Sequence, residues 1–167
     1  MTTFFSVSSL SEMAALEVHR LYKLRVDVFV HEQATPYAEI DDIDAEPTTK
    51  HMLAWRRGDG PTQLVGTARI YPDVVDGQDV TQLGRFVVAD SDRGTGLAQE
   101  LMFQTQRLAF ETYPGRDVHL SAQSELTGYY AKYGFEPTGE QYDDSGVPHQ
   151  PMMLSAGALS EIVTARR

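Results

Sequence analysis

One short stretch of the chain combines residue types that could hold a phosphate group. Arg93-Gly94-Thr95-Gly96 follows a predicted strand and precedes a predicted helix. The glycines let backbone amides approach a ligand without a Cβ in the way. A helix start leaves about four amides without intrahelical partners and carries roughly half a positive charge, and Arg93 adds a permanent cation. The pattern therefore predicts a phosphate or pyrophosphate site.

Two common nucleotide-binding motifs do not fit this stretch. The dinucleotide pattern G-x-G-x-x-G needs a third glycine where Gln99 stands. No Gly-Lys-Ser or Gly-Lys-Thr of a P-loop occurs in the chain. From these residues alone, the stretch indicates either a phosphate site or a plain tight turn.

The surrounding elements form a mixed α/β pattern. Hydrophobic periodicity predicts strands at 4–8, 51–57, 63–71, 80–89, 118–122, from 135 onward and at 149–154, and helices at about 10–30, 94–112 and 126–133. Ser9 and Glu12 form a capping-box pattern at the start of the first helix. Residues 33–50 are predicted to be a long loop with one helical turn. We therefore expect a single domain over residues 1–167.

Composition and charge exclude several classes of protein. The 167 residues contain no cysteine, which rules out disulfides, thiolate metal sites and a cysteine acyl-enzyme; no metal is expected. No apolar run approaches the roughly 20 residues of a membrane helix, and the N-terminus lacks a secretory pattern, so we expect a cytoplasmic protein. The net charge of −10 disfavours nucleic acid and anionic membranes as partners. It would suit a cationic or amine ligand, or it simply keeps the protein soluble.

Two motifs in matching order resemble the GCN5-related N-acetyltransferases (GNATs). Arg93-Gly94-Thr95-Gly96-Leu97-Ala98 resembles the R/Q-x-x-G-x-G/A signature, and Tyr130 to Phe135 resembles the Y-x-x-x-G-F motif. The resemblance extends over most of the chain to the ElaA-type subgroup, through Leu24-Arg25, Val28 to Gln33, Pro36-Tyr37, Ile40-Asp41, Asp44, His51, Ser121-Ala122-Gln123 and Gly146-Val147-Pro148-His149. Gln123 stands where most of the superfamily has Asn, and its amide can donate and accept similarly.

The resemblance implies a fold, a co-substrate and a set of site residues. The fold would be the GNAT fold, a twisted, mostly antiparallel sheet flanked by helices. Acetyl-coenzyme A would bind through the main chain of Phe86, Val87 and Val88, the loop residues Arg93, Gly94, Thr95, Gly96, Leu97 and Ala98, and Gln123. A neutral amine would attack the thioester directly, with Tyr130 as the acid that protonates the departing thiolate. Tyr129 and Tyr133 are expected to be packing residues.

The general base is left open by the sequence. Residues 83–89, where many relatives carry a glutamate, contain no carboxylate. The candidates are Glu32, Asp41, Asp44, His51 and His149. Each has a structural alternative: Glu32 could pair with Arg25, His51 could be satisfied at a strand start, and His149 could brace the final hairpin. The acidic run Glu39, Asp41, Asp42, Asp44 and Glu46 could line an amine entrance, with Asp42 and Glu46 favoured as solvated.

Two other functions fit the same motifs. One is an acyltransferase with another donor, similar to the homoserine-lactone synthases. The other is a domain that binds acetyl-coenzyme A as a sensor without turnover. The acceptor, a small-molecule or peptide amine, and the oligomeric state, with a homodimer as one alternative, are not fixed by the sequence.

Overall fold

The computed structural model of the chain describes residues 2–34 and 38–166, which form eight strands and four α-helices. The strands are β1 (Thr2–Ser8), β2 (Lys50–Arg57), β3 (Gln63–Val75), β4 (Gln78–Val88), β5 (Asp117–Gln123), β6 (Glu136–Pro137), β7 (Tyr142–Asp144) and β8 (Val147–Leu154). The helices are α1 (Ala15–Arg25), α2 (Leu97–Thr112), α3 (Thr127–Ala131) and α4 (Ala156–Ala165). Among the described residues, no helix is long and apolar enough to span a membrane.

The chain packs as two compact units. The first consists of Met1–Tyr71 and Arg85–Thr105, and the second of Pro72–Gly84 and Gln106–Arg167. Strands β3 and β4 and helix α2 each begin in one unit and end in the other. The expectation of one domain over the whole chain stays a prediction.

In the first unit, the sheet packs against α1. Strand β2 pairs antiparallel with β1 and with β3. The run from Met52 to Trp55 in β2 is buried throughout, as in a strand covered on both faces. Leu21 of α1 packs against Leu53 and Trp55, and the Trp55 indole donates a hydrogen bond of 2.9 Å to the Ser6 hydroxyl. The hydrophobic core of this unit therefore fixes α1 over the sheet.

In the second unit, β5 is the central strand. It pairs parallel with β4 over Val80↔Asp117 to Gln82↔His119 and antiparallel with β8 over its length. Strand β8 also pairs antiparallel with β6 and β7. Alternate residues of β5, beginning with Val118, are buried. The predicted mixed, mostly antiparallel sheet with helices is confirmed.

The first predicted helix is interrupted rather than continuous. The Ser9 amide donates to the Glu12 carboxylate at 3.1 Å, as the capping box requires, but this box starts a single 3-10 turn, Leu10–Glu12. A second start follows, where the Ala14 amide donates to the Glu17 carboxylate at 2.9 Å and α1 begins. Beyond α1 the chain continues as a π-helical segment, Val26–Glu32. The prediction of one uninterrupted helix is wrong because two glutamates cap two successive turns.

The structure extends one predicted strand, β3, and adds a helix, α4, that the sequence does not predict. Strands β3 and β4 meet at Asp76-Gly77, whose positive φ angles of 50° and 76° suit a type I′ hairpin turn; the predicted strand ended early, at residue 71, just before Pro72. Helix α4 begins after Ser155, whose hydroxyl accepts a hydrogen bond of 3.1 Å from the Ala158 amide. Its residues Leu159 and Val163 are buried in the second unit.

Candidate active site

The glycine loop joins β4 to α2 within the first unit. A 3-10 turn, Asp90–Asp92, precedes it, and α2 begins at Leu97. Gly94 and Gly96 have φ angles of 76° and 86°, and a Cβ on either would meet nothing within 4 Å. The glycines are therefore needed for the left-handed backbone rather than for space. The predicted order of strand, glycine loop and helix is confirmed, and the loop's role in binding stays a prediction.

Arg93, the cation of this loop, is held by acidic neighbours. Its Nη1 lies 2.5 Å from Glu32 Oε1 and its Nη2 lies 3.1 Å from Glu32 Oε2, a bidentate ion pair. Asp90 lies 3.3 Å from the same Nη1. Both side chains of the Glu32–Arg93 pair are 41% exposed. The hydrogen bond from Arg93 lowers the pKa of Glu32, so the pair is charged on both sides near neutral pH.

The π-helical segment places Glu32 at this loop. The Gln33 amide donates to the Val28 carbonyl at 2.8 Å, an i→i+5 bond. Val28 packs with Leu24 and with Val87 of β4 in one buried cluster. The segment is thus anchored on β4 while its last residue, Glu32, reaches the glycine loop. The structural alternative of a Glu32–Arg25 pair is wrong, because Arg25 pairs with other acids.

The end of β4 carries the residues predicted to hold the pantetheine arm. Val87 and Val88 are buried, and the Ala89 amide donates to the Val65 carbonyl of β3 at 2.8 Å. A Cβ on Gly66 would lie 3.3 Å from the Val87 carbonyl oxygen, so β3 approaches β4 closely there. The side chains of Phe86, Val87 and Val88 are apolar. Any polar contact from this stretch to a ligand must therefore come from its main chain.

Three arginines and three carboxylates of the first unit form a closed ring of alternating charge. In order around the ring they are Arg25, Asp44, Arg69, Asp41, Arg85 and Glu39, which returns to Arg25. Five of the six contacts are between 2.7 and 3.0 Å, and the sixth, from Arg85 to Asp41, is 3.5 Å. The formal charges of the ring cancel.

The ring connects four parts of the first unit and is mostly buried. Arg25 ends α1, Arg69 lies in β3 and Arg85 in β4, while the acids belong to residues 39–44. The Asp44 side chain is 0% exposed and that of Asp41 is 29% exposed. Burial alone would raise the pKa of Asp44, but the guanidinium groups of Arg25 and Arg69 lower it below its ordinary value. A buried charge set of this kind requires every partner.

Most of the acids that were predicted to line an amine entrance are therefore paired with arginines. Glu39, Asp41 and Asp44 belong to the ring, and their charges are neutralised inside the unit. Asp42 and Glu46 are exposed, in agreement with the prediction that they are solvated. The resemblance at Pro36-Tyr37 lies outside the described residues. The acid run thus stabilises the first unit rather than presenting three free carboxylates.

The two candidate histidines are both bonded to backbone carbonyls. His51, at the start of β2, is buried, and its Nε2 lies 3.0 Å from the Asp44 carbonyl oxygen. Because a carbonyl only accepts, Nε2 carries the proton, and burial lowers the pKa of the ring. His149 in β8 has its Nδ1 2.8 Å from the Val147 carbonyl and stacks on Tyr142. These contacts agree with the structural alternatives for both residues.

The second unit contains Tyr130 and Gln123. Tyr130 of α3 lies edge-on to Tyr129 and to Phe135, with ring centroids 5.2 and 6.4 Å apart. Loss of water around the phenol, with Tyr133 nearby, raises the pKa of Tyr130 to about 12. The Tyr133 hydroxyl donates to Tyr129 at 3.2 Å, which agrees with packing roles for these two residues.

Gln123 ends β5 and pairs in register with His149 of β8. Among the site residues, the structure thus brings together Glu32 with Arg93 in the first unit and Gln123 with His149 in the second. Phe86 to Val88 and the glycine loop belong to the first unit, and Tyr130 belongs to the second. Within the described ranges, no group of three or more potential metal-binding side chains occurs.

A glycine loop that opens a helix after a mostly antiparallel sheet is the arrangement of acyl-coenzyme A N-acyltransferases, and the comparisons agree. A family model described as an acetyltransferase (GNAT) domain matches residues 11–156. The chain belongs to the GNAT family. It is 35% identical to protein ElaA of Escherichia coli K12, over 83% of this chain and 88% of that protein. It is also 35% identical to a UPF0039 protein of Mycobacterium tuberculosis, over 85% and 86% of the two chains.

Solved structures show the same relationship. An acyl-CoA N-acyltransferase from Pseudomonas aeruginosa has a TM-score of 0.81 and 32% identity, covering 92% of this chain and all of that one. The structure of Escherichia coli ElaA has a TM-score of 0.80 and 32% identity with the same coverage. The predicted GNAT fold and the similarity to the ElaA-type subgroup are confirmed.

Sequence reasoning missed the ring arginines Arg69 and Arg85. A pattern that could have found them is present: Arg69 lies within the buried run of β3, and the acid run is short and dense. An arginine in a buried strand needs a carboxylate partner. The pairing itself depends on how loop 38–45 folds back, which the local sequence does not specify.

Proposed function

We propose that the chain transfers the acetyl group of acetyl-coenzyme A to a primary amine. The amine nitrogen attacks the thioester carbonyl, a C–N bond forms, the C–S bond breaks, and the amide and the coenzyme A thiol are released. The amine gives up one proton and the thiolate takes one up. Membership of the GNAT family supports an acyl-coenzyme A as the co-substrate, and the absence of cysteine supports a direct transfer.

The observation that carries this proposal is the backbone of the glycine loop. Gly94 and Gly96 both hold left-handed conformations, and α2 starts one residue later. A loop of this kind at a helix start can offer its backbone amides, here those of residues 94–98, to an anion, which the helix dipole also favours. The pyrophosphate of coenzyme A suits this position, with Arg93 as the adjoining cation once it leaves Glu32. The main chain of Phe86, Val87 and Val88 would then pair with the pantetheine arm and polarise the carbonyl.

Tyr130 is proposed to stabilise the departing thiolate. Its phenol stays neutral well above physiological pH, because the pKa is raised to about 12, and it therefore remains a hydrogen-bond donor. That pKa exceeds the ~8.5 of a typical thiol, so complete proton transfer to the sulfur is uphill. We expect Tyr130 to act mainly through a hydrogen bond that strengthens as charge develops on the sulfur.

Four of the residues considered as general base are poorly suited to accept the proton of the amine. The pKa values of Glu32, Asp41 and Asp44 are all lowered by arginines, and that of His51 is lowered by burial. His149, reached directly or through water, is the remaining candidate base, with bulk solvent as the other. An alkyl ammonium has a pKa of ~10, so we expect kcat/KM to rise with pH over the neutral range.

The proposed acceptor is a primary amine of a small molecule or a peptide. The net charge of −10 attracts an ammonium ion at long range. Within the part that the structure describes, three carboxylates of the acid run are already paired with arginines, so local recognition of the ammonium does not depend on them.

A panel of amines tests the proposal, with release of coenzyme A thiol as the readout. Because the chain has no cysteine, a thiol reagent detects coenzyme A with no background from the protein. We expect thiol release that depends on one class of amine and exceeds hydrolysis without an acceptor. Acetyl-coenzyme A binding with no release for any acceptor would contradict transferase activity and favour a sensor.

A further inference from the structure

Arg85 occupies an unusual backbone position for its residue type. It lies inside β4, yet its φ angle is 51°, in the left-handed region. For a residue with a Cβ this conformation is unfavourable, and inside a strand it interrupts the regular pleat. Gly84, the residue before it, is not among the positive-φ glycines of the described chain. A long, charged residue therefore stands where glycine would be expected.

The guanidinium group of Arg85 contacts one loop segment at several points. Arg85 Nε donates to the Glu39 carbonyl at 3.1 Å and lies 3.0 Å from the Glu39 carboxylate. Its Nη2 donates to the Ala38 carbonyl at 3.2 Å and lies 3.5 Å from Asp41. The side chain thus holds two backbone carbonyls and two carboxylates of one loop segment. That segment is itself fixed by Arg25 and Arg69 through the charge ring.

The interruption falls directly before Phe86, Val87 and Val88. In a regular strand successive amides alternate between the two edges, so one left-handed residue changes which amides face which edge. The ring is therefore positioned to set the orientation of the main-chain groups that follow it in β4.

We propose that Arg85 is a positioning residue for the acyl donor: anchored in the charge ring, it holds the left-handed turn of β4 that directs the amides of residues 86–88 toward the pantetheine arm and the thioester carbonyl. This inference rests on the proposed function, because it assigns those amides to acetyl-coenzyme A. Arg85 acts through the backbone and is not required to contact the substrate. The motifs that mark the donor site in the sequence do not include Arg85.

Two variants of the full chain separate the guanidinium contacts from the backbone conformation. Arg85→Ala removes the contacts and keeps the Cβ, whereas Arg85→Gly removes the contacts but adopts the left-handed backbone freely. We expect Arg85→Ala to weaken coenzyme A binding by roughly tenfold and to lower kcat by roughly tenfold or more, as a misplacement of about 1 Å can do. Arg85→Gly should lie between Arg85→Ala and the wild type in both measurements.

Binding of 3′-phospho-ADP, the nucleotide half of coenzyme A, distinguishes a positioning role from a general structural defect. A general defect would weaken the binding of this nucleotide as well. It can contact the glycine loop but has no pantetheine arm. Calorimetry of each variant with coenzyme A and with 3′-phospho-ADP should show weaker binding of coenzyme A and unchanged binding of the nucleotide. Equal weakening of both ligands would overturn the positioning role, and so would wild-type kcat and coenzyme A affinity in Arg85→Ala.

A milder variant covers the case in which Arg85→Ala does not fold. Asp41→Asn removes the charge of the most exposed ring carboxylate, which contacts Arg85 and Arg69, and it should weaken coenzyme A binding selectively in the same way. A different result would show that the proposed function itself is wrong. In that case the wild type itself binds neither coenzyme A nor 3′-phospho-ADP.

Discussion

At the scale of single residues, Arg93 has two competing uses. In the structure it is paired with Glu32 and lies near Asp90. In the proposed complex it faces the pyrophosphate of coenzyme A. Both partners are anionic, and the Glu32 pair is exposed, so a phosphate can replace the carboxylate without a buried charge being left behind. The ion pair should therefore weaken donor binding slightly.

Replacement of Glu32 tests this competition. Glu32→Gln removes the carboxylate and frees Arg93, so we expect coenzyme A to bind about two- to fivefold more tightly, the range of an exposed ion pair. Isothermal calorimetry at low salt measures the change. Asp27→Asn is the matched control, because Asp27 lies on the same π-helical segment but pairs with Lys23. Equal effects of the two variants would show that only net charge matters.

Tyr130 is the second residue whose role can be isolated. Tyr130→Phe keeps the ring contacts with Tyr129 and Phe135 and removes the hydroxyl. We expect kcat to fall roughly a hundredfold, as for loss of one donor to a developing charge, and the affinity for coenzyme A to stay nearly unchanged. Because the pKa of Tyr130 is raised to about 12, the wild-type rate should show no decline between pH 8 and pH 10. Unchanged kcat in the variant would remove Tyr130 from the mechanism.

At the scale of elements, the charge ring fastens loop 38–45 to α1, β3 and β4. Asp44 is central to it, since it contacts Arg25 and Arg69 and is completely buried. Its carbonyl also accepts the hydrogen bond from His51. Removing one member leaves an uncompensated charge in the interior, which costs more than the pair contributed.

Asp44→Asn should therefore destabilise the chain by about 3–5 kcal/mol, measured by urea unfolding. Asp42→Asn is the control on the same 3-10 turn, and because Asp42 is exposed its effect should stay within about 0.5 kcal/mol. The folded pKa of Asp44 lies below its ordinary 3.8. Its contribution to stability is thus present above pH 3.8 and is lost as the pH falls through the folded pKa. A stability that does not change below pH 4 would argue against the ring.

The glycine loop offers a test that involves no steric clash. Gly96→Ala adds a Cβ that meets nothing within 4 Å, but the φ angle of 86° is unfavourable for alanine by about 1–2 kcal/mol. We expect the loop to shift and coenzyme A affinity to fall roughly tenfold. Gly60→Ala is the control, since Gly60 has open space and no positive φ. Equal affinities of both variants would place the phosphate elsewhere.

Much of each element could be predicted locally, and each exception has an identifiable physical cause. The order β4, glycine loop and α2 followed from hydrophobic patterning and two glycines, and the structure confirms it. The break after Glu12 did not follow, because Glu17 offers a competing cap for the next turn. The π-helical segment did not follow either, and its Val28 packs on Val87, a contact between residues far apart in sequence.

At the scale of the whole molecule, family membership was visible in two motifs, but the state of the candidate side chains was not. The sequence offered Glu32, Asp41, Asp44 and His51 as bases with equal justification. Only the folded chain shows that the three acids are paired with arginines and that His51 is buried. Such pairings join residues up to 61 positions apart, so no local pattern specifies them.

We propose that the loop from Arg93 to Ala98 makes this chain a coenzyme A-binding protein. Calorimetric titration of the wild-type chain with coenzyme A, together with its unfolding at rising ligand concentration, tests it most directly. We expect saturable binding at one site and a stability gain of about 2.7 kcal/mol when free coenzyme A is 100 times its Kd. No heat of binding and no shift in stability at millimolar coenzyme A would contradict the claim.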